Sequence, residues 1–291
     1  MSRTKITQAM IDAYDEYTHL TLDRRGFMQK LTGLAGSAAA AAAVAPLLAA
    51  SSAKAAVVSP DDPAVEAVWT TYNAAGIEVK SYLARPTEGQ GPFPGVIVIH
   101  ENRGLNGHIQ DVTRRLAKAG FVALAPDFLS AEGGTPPDED KARELIGGLD
   151  PEKTVALAVG SEAWLRQAEG VNGKVGAIGF CWGGGLVSDL AIADPDLKAG
   201  VAYYGRQPDA ADVGKIKAAI MLHYAGLDTR INAGIDAYKA ALEKAGIEHE
   251  IHVYEGVNHA FNNDTSAARY DKAASDLAWT RTVDFLKAKL G

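Results

Sequence analysis

Five short stretches of this chain are apolar at every position: Val96-Ile97-Val98-Ile99, Val122-Ala123-Leu124-Ala125, Val175-Gly176-Ala177-Ile178, Ala199-Gly200-Val201-Ala202 and Ala219-Ile220-Met221-Leu222. A strand with one wet face alternates polar and apolar residues; a strand without polar positions must be covered on both faces. Between these runs lie segments with helical spacing, over 109–119, 138–149, 151–167, 185–193 and 233–245, and 267–290 closes the chain in the same pattern. Alternation of this kind predicts an α/β fold with a mostly parallel central sheet and helices on both faces. Ahead of the first run, 67–73 and 77–83 alternate and flank Ala74-Ala75-Gly76, which predicts an antiparallel hairpin. Residues 250–254 predict a last strand, and no repeat or linker divides 56–291, which reads as one domain.

The N-terminal 55 residues read differently. Arg24-Arg25 precede an Ala-rich apolar run over 31–50, and Ala53-Lys54-Ala55 is a small-x-small signal. That order predicts a twin-arginine signal peptide over 1–55, outside the fold and removed near Ala55 on passage to the periplasm. The run is too weakly apolar for a permanent span, so membrane contact is expected only during export. A net charge of −7 without a basic stripe argues against nucleic acid. The partners expected are the export machinery and a small-molecule substrate, for a chain acting as a monomer.

The single cysteine, Cys181, lies in Gly179-Phe180-Cys181-Trp182-Gly183, between an apolar run and a helical segment. In a strand-turn-helix elbow the central residue is forced into a strained conformation, and the flanking glycines keep side chains out of the crossing backbone. The nucleophile is thereby lifted to the sheet edge, and the helix dipole behind it favours thiolate. One cysteine can form no internal disulfide, so in an oxidising compartment it is better explained by chemistry than by packing.

Functional groups of parallel sheets gather beyond the carboxyl ends of strands. The run ending at 224 exits into Asp228, and 250–254 exits into His259. Nucleophile, acid and histidine in that order give the α/β-hydrolase arrangement, with Cys181 attacking, His259 as base and Asp228 fixing its tautomer. Helix capping is the competing role for Asp228. The N–H groups of Trp182 and Asn102 are the expected oxyanion donors. Glu101, next to Arg103, would raise the thiol pKa if it faced the sulfur, and His100 would line the pocket. His223 falls in a buried strand, and His249 and His252 on an edge strand. No metal-ligand spacing and no cofactor motif is present.

Taken together, His100-Glu101-Asn102-Arg103-Gly104, Ala125-Pro126-Asp127, Gly179-Phe180-Cys181-Trp182-Gly183-Gly184, Tyr203-Tyr204-Gly205, Gly226-Leu227-Asp228 and Asn258-His259-Ala260-Phe261 resemble the dienelactone hydrolase family, from about residue 70 to the C-terminus. The resemblance implies thiol-dependent opening of cyclic enol lactones, with Cys181, Asp228 and His259 as triad and Glu101 controlling the thiol. Where that family carries an arginine for the substrate carboxylate, this chain has Asn262-Asn263-Asp264. A thioester intermediate favours lactones and activated esters over amides. The alternatives are a peroxide-responsive thiol, for which the chain offers no resolving cysteine, and a lactone-binding protein without turnover.

Overall fold

In the computed structural model, residues 5–19, 21–49 and 56–291 are described. Three helices come first, α1 (Gln8–Thr18), α2 (Arg24–Ala35) and α3 (Ala38–Leu48). The hairpin β1 (Val65–Ala74) and β2 (Ile77–Pro86) follows, then β3 (Phe93–Ile99), α4 (Gly107–Lys118), β4 (Val122–Pro126), α5 (Glu139–Gly147), α6 (Pro151–Arg166) and β5 (Val171–Phe180). The chain continues through α7 (Trp182–Ala193), β6 (Ala199–Tyr203), β7 (Ala219–Ala225), α8 (Thr229–Asn232), α9 (Ile235–Ala245), β8 (His249–Tyr254) and α10 (Lys272–Leu290).

The eight strands form one sheet in the order β1-β2-β4-β3-β5-β6-β7-β8. All five apolar runs lie in its parallel part, and only β1 with β2 and β2 with β4 pair antiparallel. Because side chains alternate across a strand, each run feeds two cores. Ile97 and Ile99 pack with Leu157 and Leu165 of α6 and Leu186 and Leu190 of α7. Val96 and Val98 pack on the other face with Ile109, Val112 and Leu116 of α4 and Phe285 and Leu286 of α10. Burial of each such side chain is worth about 1.5–3 kcal/mol, which explains why neither face tolerates a polar position.

Helix starts follow local chemistry. Asn106 accepts from Ile109 N at 3.2 Å to open α4, and Asp150 accepts from Lys153 N at 3.0 Å ahead of Pro151 in α6. The closing helix begins later than its apolar spacing suggests, at Lys272, where Asp271 accepts from Ala274 N. Turns occupy most of 255–270.

The N-terminal helices lie on the domain. Met10, Tyr14, Tyr17, Phe27, Leu31, Val44 and Leu48 close a core of their own. Its attachment to the rest is polar and aromatic: Tyr17 OH donates to Asp140 at 2.5 Å, Arg24 pairs with Asp140 at 2.8 Å, and Arg103 donates to Tyr14 OH. The guanidinium of Arg143 lies 4.0 Å from the Tyr17 ring centre, and that of Arg269 5.1 Å from the Tyr14 ring centre. Among the described residues no single helix is long and apolar enough to cross a membrane; α2 and α3 meet that length and composition only as a pair bent by 112°. The small-x-small signal at 53–55 lies outside the described residues.

Candidate active site

Strand β5 ends at Phe180, and Cys181 turns the chain into α7 with φ 55° and ψ −114°. A Cβ on Gly179 would lie 2.2 Å from Gly183 O, and one on Gly183 would lie 2.4 Å from His100 O, so no side chain fits at either position. Tyr204 and Ala260, at φ 40° and 64°, are the other strained non-glycine residues beside this bend. Local strain therefore concentrates where β5, β6 and the loop after β8 meet.

Asp228 caps α8 with one oxygen and holds the histidine with the other. Ile231 N donates to its Oδ1 at 3.1 Å, and His259 Nδ1 donates to its Oδ2 at 2.5 Å. Both roles weighed for this residue are thus present in one carboxylate. Burial opposes its charge, but the His259 bond and charge hold its pKa below the usual carboxylate value. A carboxylate only accepts, so Nδ1 of His259 carries the proton and Nε2 carries the lone pair of the neutral ring. That Nε2 is buried with no hydrogen-bond partner among the described residues.

The sulfur's hydrogen-bond partner comes from the N-terminal segment. His19 Nε2 lies 3.4 Å from Cys181 Sγ, while His19 Nδ1 donates to Asp15 O at 2.8 Å. The rings of His19 and His259 meet edge-on with centres 4.6 Å apart, and their ligating atoms and the sulfur all lie within 4.8 Å of one another. Burial disfavours the thiolate, yet the two imidazoles outweigh it and draw the thiol pKa to about 6. Burial likewise disfavours His259 as a cation, but Asp15, the thiolate and Asp228 raise its pKa to about 10. The resting pair is therefore thiolate and imidazolium.

Glu101 is buried in the same cleft and accepts from Asn263 Nδ2 at 2.8 Å and from Tyr204 OH at 3.4 Å. Burial raises its pKa, but His108, Arg103 and Arg269 prevail and keep it ionised. The thiol pKa is lowered on balance, with the two imidazoles as the largest opposing influence to burial, where the sequence suggested a rise imposed by Glu101. Asn263, which replaces the family's arginine region, is thus a partner of Glu101. His100 is fully buried instead of lining the pocket; its Nδ1 donates to Glu101 O and its ring stacks on Trp182. His223 is buried between Tyr254 OH and Thr282, as a strand position implies. Trp182 begins α7, where the first N–H groups have no helical partner. The side chain of Asn102 donates to Thr18 O at 2.6 Å.

A cavity of roughly 200 Å³ opens above the sulfur. Its wall includes Arg143, Ile146 and Gly147 of α5, Arg206 after β6, and Arg230 of α8. Sequence reasoning placed walls at 130–138 and 206–213; Arg206 fulfils the second, while α5 replaces the first. It missed His19, Arg143 and Arg230. The available signal for His19 was the helical spacing of Ile11, Tyr14, Tyr17 and Thr18 ahead of the twin arginines.

Comparison with known proteins bears on this geometry. Residues 79–290 match the Dienelactone hydrolase family. A Yersinia pestis protein named "Putative carboxymethylenebutenolidase" is 35% identical over 231 residues, covering 74% of this chain and 86% of that protein. An Escherichia coli K12 "Putative hydrolase fragment YghX" is 53% identical over 93 residues, 31% of this chain and 79% of the fragment. The crystal structure described as a putative dienelactone hydrolase from Klebsiella pneumoniae superposes with a TM-score of 0.71 at 29% identity, covering 77% of this chain and 99% of that one. A dienelactone hydrolase-like promiscuous phosphotriesterase, P91, from metagenomic libraries gives 0.72 at 25% identity, covering 78% of this chain and 100% of its own. With its eight-stranded, mostly parallel sheet and this match over most of its length, the chain belongs to the dienelactone hydrolase family, carboxylic ester hydrolases on the α/β-hydrolase fold.

Proposed function

We propose that the chain opens a lactone or cleaves a small ester through a thioester on Cys181, with His259 as proton carrier and Asp228 as its orienting partner. The observation that carries this reading is the strained Cys181 bend, with the His259 ring, its Nδ1 held by Asp228 and its Nε2 unpartnered among the described residues, within 4.8 Å of the sulfur. The thiolate attacks the acyl carbon, the S–C bond forms, and the N–H groups of Trp182 and Asn102 hold the oxyanion. As the C–O bond breaks, the departing oxygen takes the proton from Nε2 of His259. Water then gives a proton back to Nε2 and its oxygen to the thioester, which releases the acid and restores the thiolate. In this reading Glu101 controls the thiol only when it leaves Asn263 and Tyr204.

Arg143, Arg206 and Arg230 line the cavity, but each is already paired with a carboxylate, Asp140, Asp189 and Asp15 respectively, so they do not by themselves select an acyl part that carries a carboxylate. Export by the twin-arginine route, to the periplasm, is the reading that Arg24-Arg25, the Ala-rich run and 53–55 support. The test of the chemistry is hydrolysis of lactones and an activated aryl ester by the unmodified chain and by Cys181→Ala. Loss of turnover in the variant, with a thioester mass adduct trapped on the unmodified chain, is the expected outcome. Full activity of Cys181→Ala overturns the mechanism.

A further inference from the structure

The triad accounts for one imidazole at the sulfur, and the structure places two there. His19 reaches Cys181 from the end of α1, and its surroundings repeat those of His259. Each ring has Nδ1 committed as a donor, to Asp15 O in one case and Asp228 Oδ2 in the other. Each therefore turns Nε2 inward as the atom able to take a proton. The Asp15 carboxylate also lies 3.4 Å from His19 Nδ1, so a carboxylate stands behind this ring as well.

We propose that His19 is a catalytic residue of the full-length chain, a second base that shares the Cys181 proton with His259 and makes the N-terminal segment a working wall of the active site. The inference rests on the thiol-nucleophile reading and adds the origin of the reactive thiolate. The one proton of Cys181 is shared between Nε2 of His19, 3.4 Å from the sulfur, and Nε2 of His259, and the ring that does not hold it is the base that later takes the proton of the attacking water. The sulfur then forms its bond to the acyl carbon, the C–O bond breaks, and the departing oxygen takes a proton from whichever imidazolium holds it. No group outside the site is consumed.

The segment is held to make this contact. Thr18 O accepts from Asn102, Tyr14 is bound by Arg103, and Tyr17 lies under Arg143. Asp15 faces Arg230 and Arg269, each at 3.8 Å. From the opposite side Glu101, Tyr204 and Asp228 face the thiolate and imidazoles; Glu101 and Asp228 are held ionised by their own partners, and burial and Glu101 hold the Tyr204 phenol protonated. Among the ionisable groups at the sulfur, only the sulfur and the two imidazoles exchange protons in the reaction proposed here. Cleavage near Ala55 on export would remove His19, so the second base belongs to the full-length chain before that cleavage, and the cleaved chain keeps His259 alone.

The experiment uses the full chain and His19→Gln, which keeps the size and the docking tyrosines but has no basic nitrogen. Cys181 is the only cysteine, so its alkylation by iodoacetamide reports the thiolate directly. In the unmodified chain the rate should be half-maximal near pH 6. In His19→Gln the midpoint should move up by about one unit or more, with alkylation and kcat/KM at pH 6 falling about fivefold or more. The rate at pH 9, which reports access to the sulfur, should stay the same, as should KM. An unchanged midpoint overturns the proposal, and so does a variant whose kcat/KM rises, because the segment would then be a plug. If Cys181→Ala retains full turnover, the nucleophile reading fails independently of the midpoint; if the midpoint is unchanged while Cys181→Ala is inactive, only the role of His19 fails.

Discussion

Replacing Asp228 by Asn separates its two roles, since the variant loses the charge and keeps the shape. Asn is as good an N-cap as Asp, so its oxygen still accepts from Ile231 N and α8 remains capped. Its amide NH₂ then faces His259 Nδ1, which forces that nitrogen to accept and moves the ring proton to Nε2. The lone pair that took the thiol proton is gone. The charge-assisted bond alone is worth about 1.5–3 kcal/mol, a factor of about 10–150 in rate. The wrong tautomer adds to this, and the corresponding change in serine triads costs about 10⁴. The expected loss in kcat/KM for an aryl ester at pH 7 is therefore about 10²- to 10⁴-fold. Calorimetry should show the Tm of Asp228→Asn close to that of the unmodified chain. Asp228→Ala loses the cap as well, about 1 kcal/mol, and should melt about 2–4 °C lower. Activity of Asp228→Asn within threefold of the unmodified chain would refute the orienting role.

Two further outcomes follow from packing and charge. Gly183→Ala places a Cβ 2.4 Å from His100 O and 2.5 Å from Ile99 O, both backbone atoms, so the elbow must shift. A destabilisation of about 1–3 kcal/mol with loss of turnover is expected, and a variant with unchanged melting and kcat contradicts the crowding argument. Glu162 is buried with neither carboxyl oxygen hydrogen-bonded among the described residues, and burial together with Asp194 raises its pKa to about 7. A carboxyl raised in the folded state favours folding below its unfolded pKa and loses that contribution as pH rises, here between about 4.5 and 7. Glu162→Gln should therefore melt above the unmodified chain at pH 8, by an amount of order 1 kcal/mol, and show no such gain at pH 4.5; melting curves at the two pH values decide it.

The parallel sheet was legible because strands covered on both faces leave no polar position, and the runs at 96–99, 122–125, 175–178, 199–202 and 219–222 have none. Cys181, Asp228 and His259 were legible for a related reason: a strand exit fixes where a side chain emerges, so chain order reports spatial order. The direction of the thiol pKa shift depends on which charges lie nearest the sulfur, and strand exits carry no such information. Glu101 was expected to raise the thiol pKa if it faced the sulfur; in the structure it accepts from Asn263 and Tyr204, and the thiol pKa is lowered. The wall formed by α5 was hidden because a loop's path depends on what it packs against. His19 was hidden because the contact it makes with Cys181 is long-range, and no local pattern ties the end of the first helix to a strand exit 162 residues on.

The three N-terminal helices bury their apolar side chains largely among themselves and touch the catalytic domain mainly through ion pairs and guanidinium-ring contacts. Attraction between partly exposed charges is screened by dissolved ions, whereas apolar burial is not. Ionic strength thus acts on the seam between the two bodies and leaves each body's interior intact. Concentrated salt should loosen the hold on His19 while the sheet stays folded, so the acidity of a single sulfur becomes a gauge of how firmly one end of the chain grips the rest.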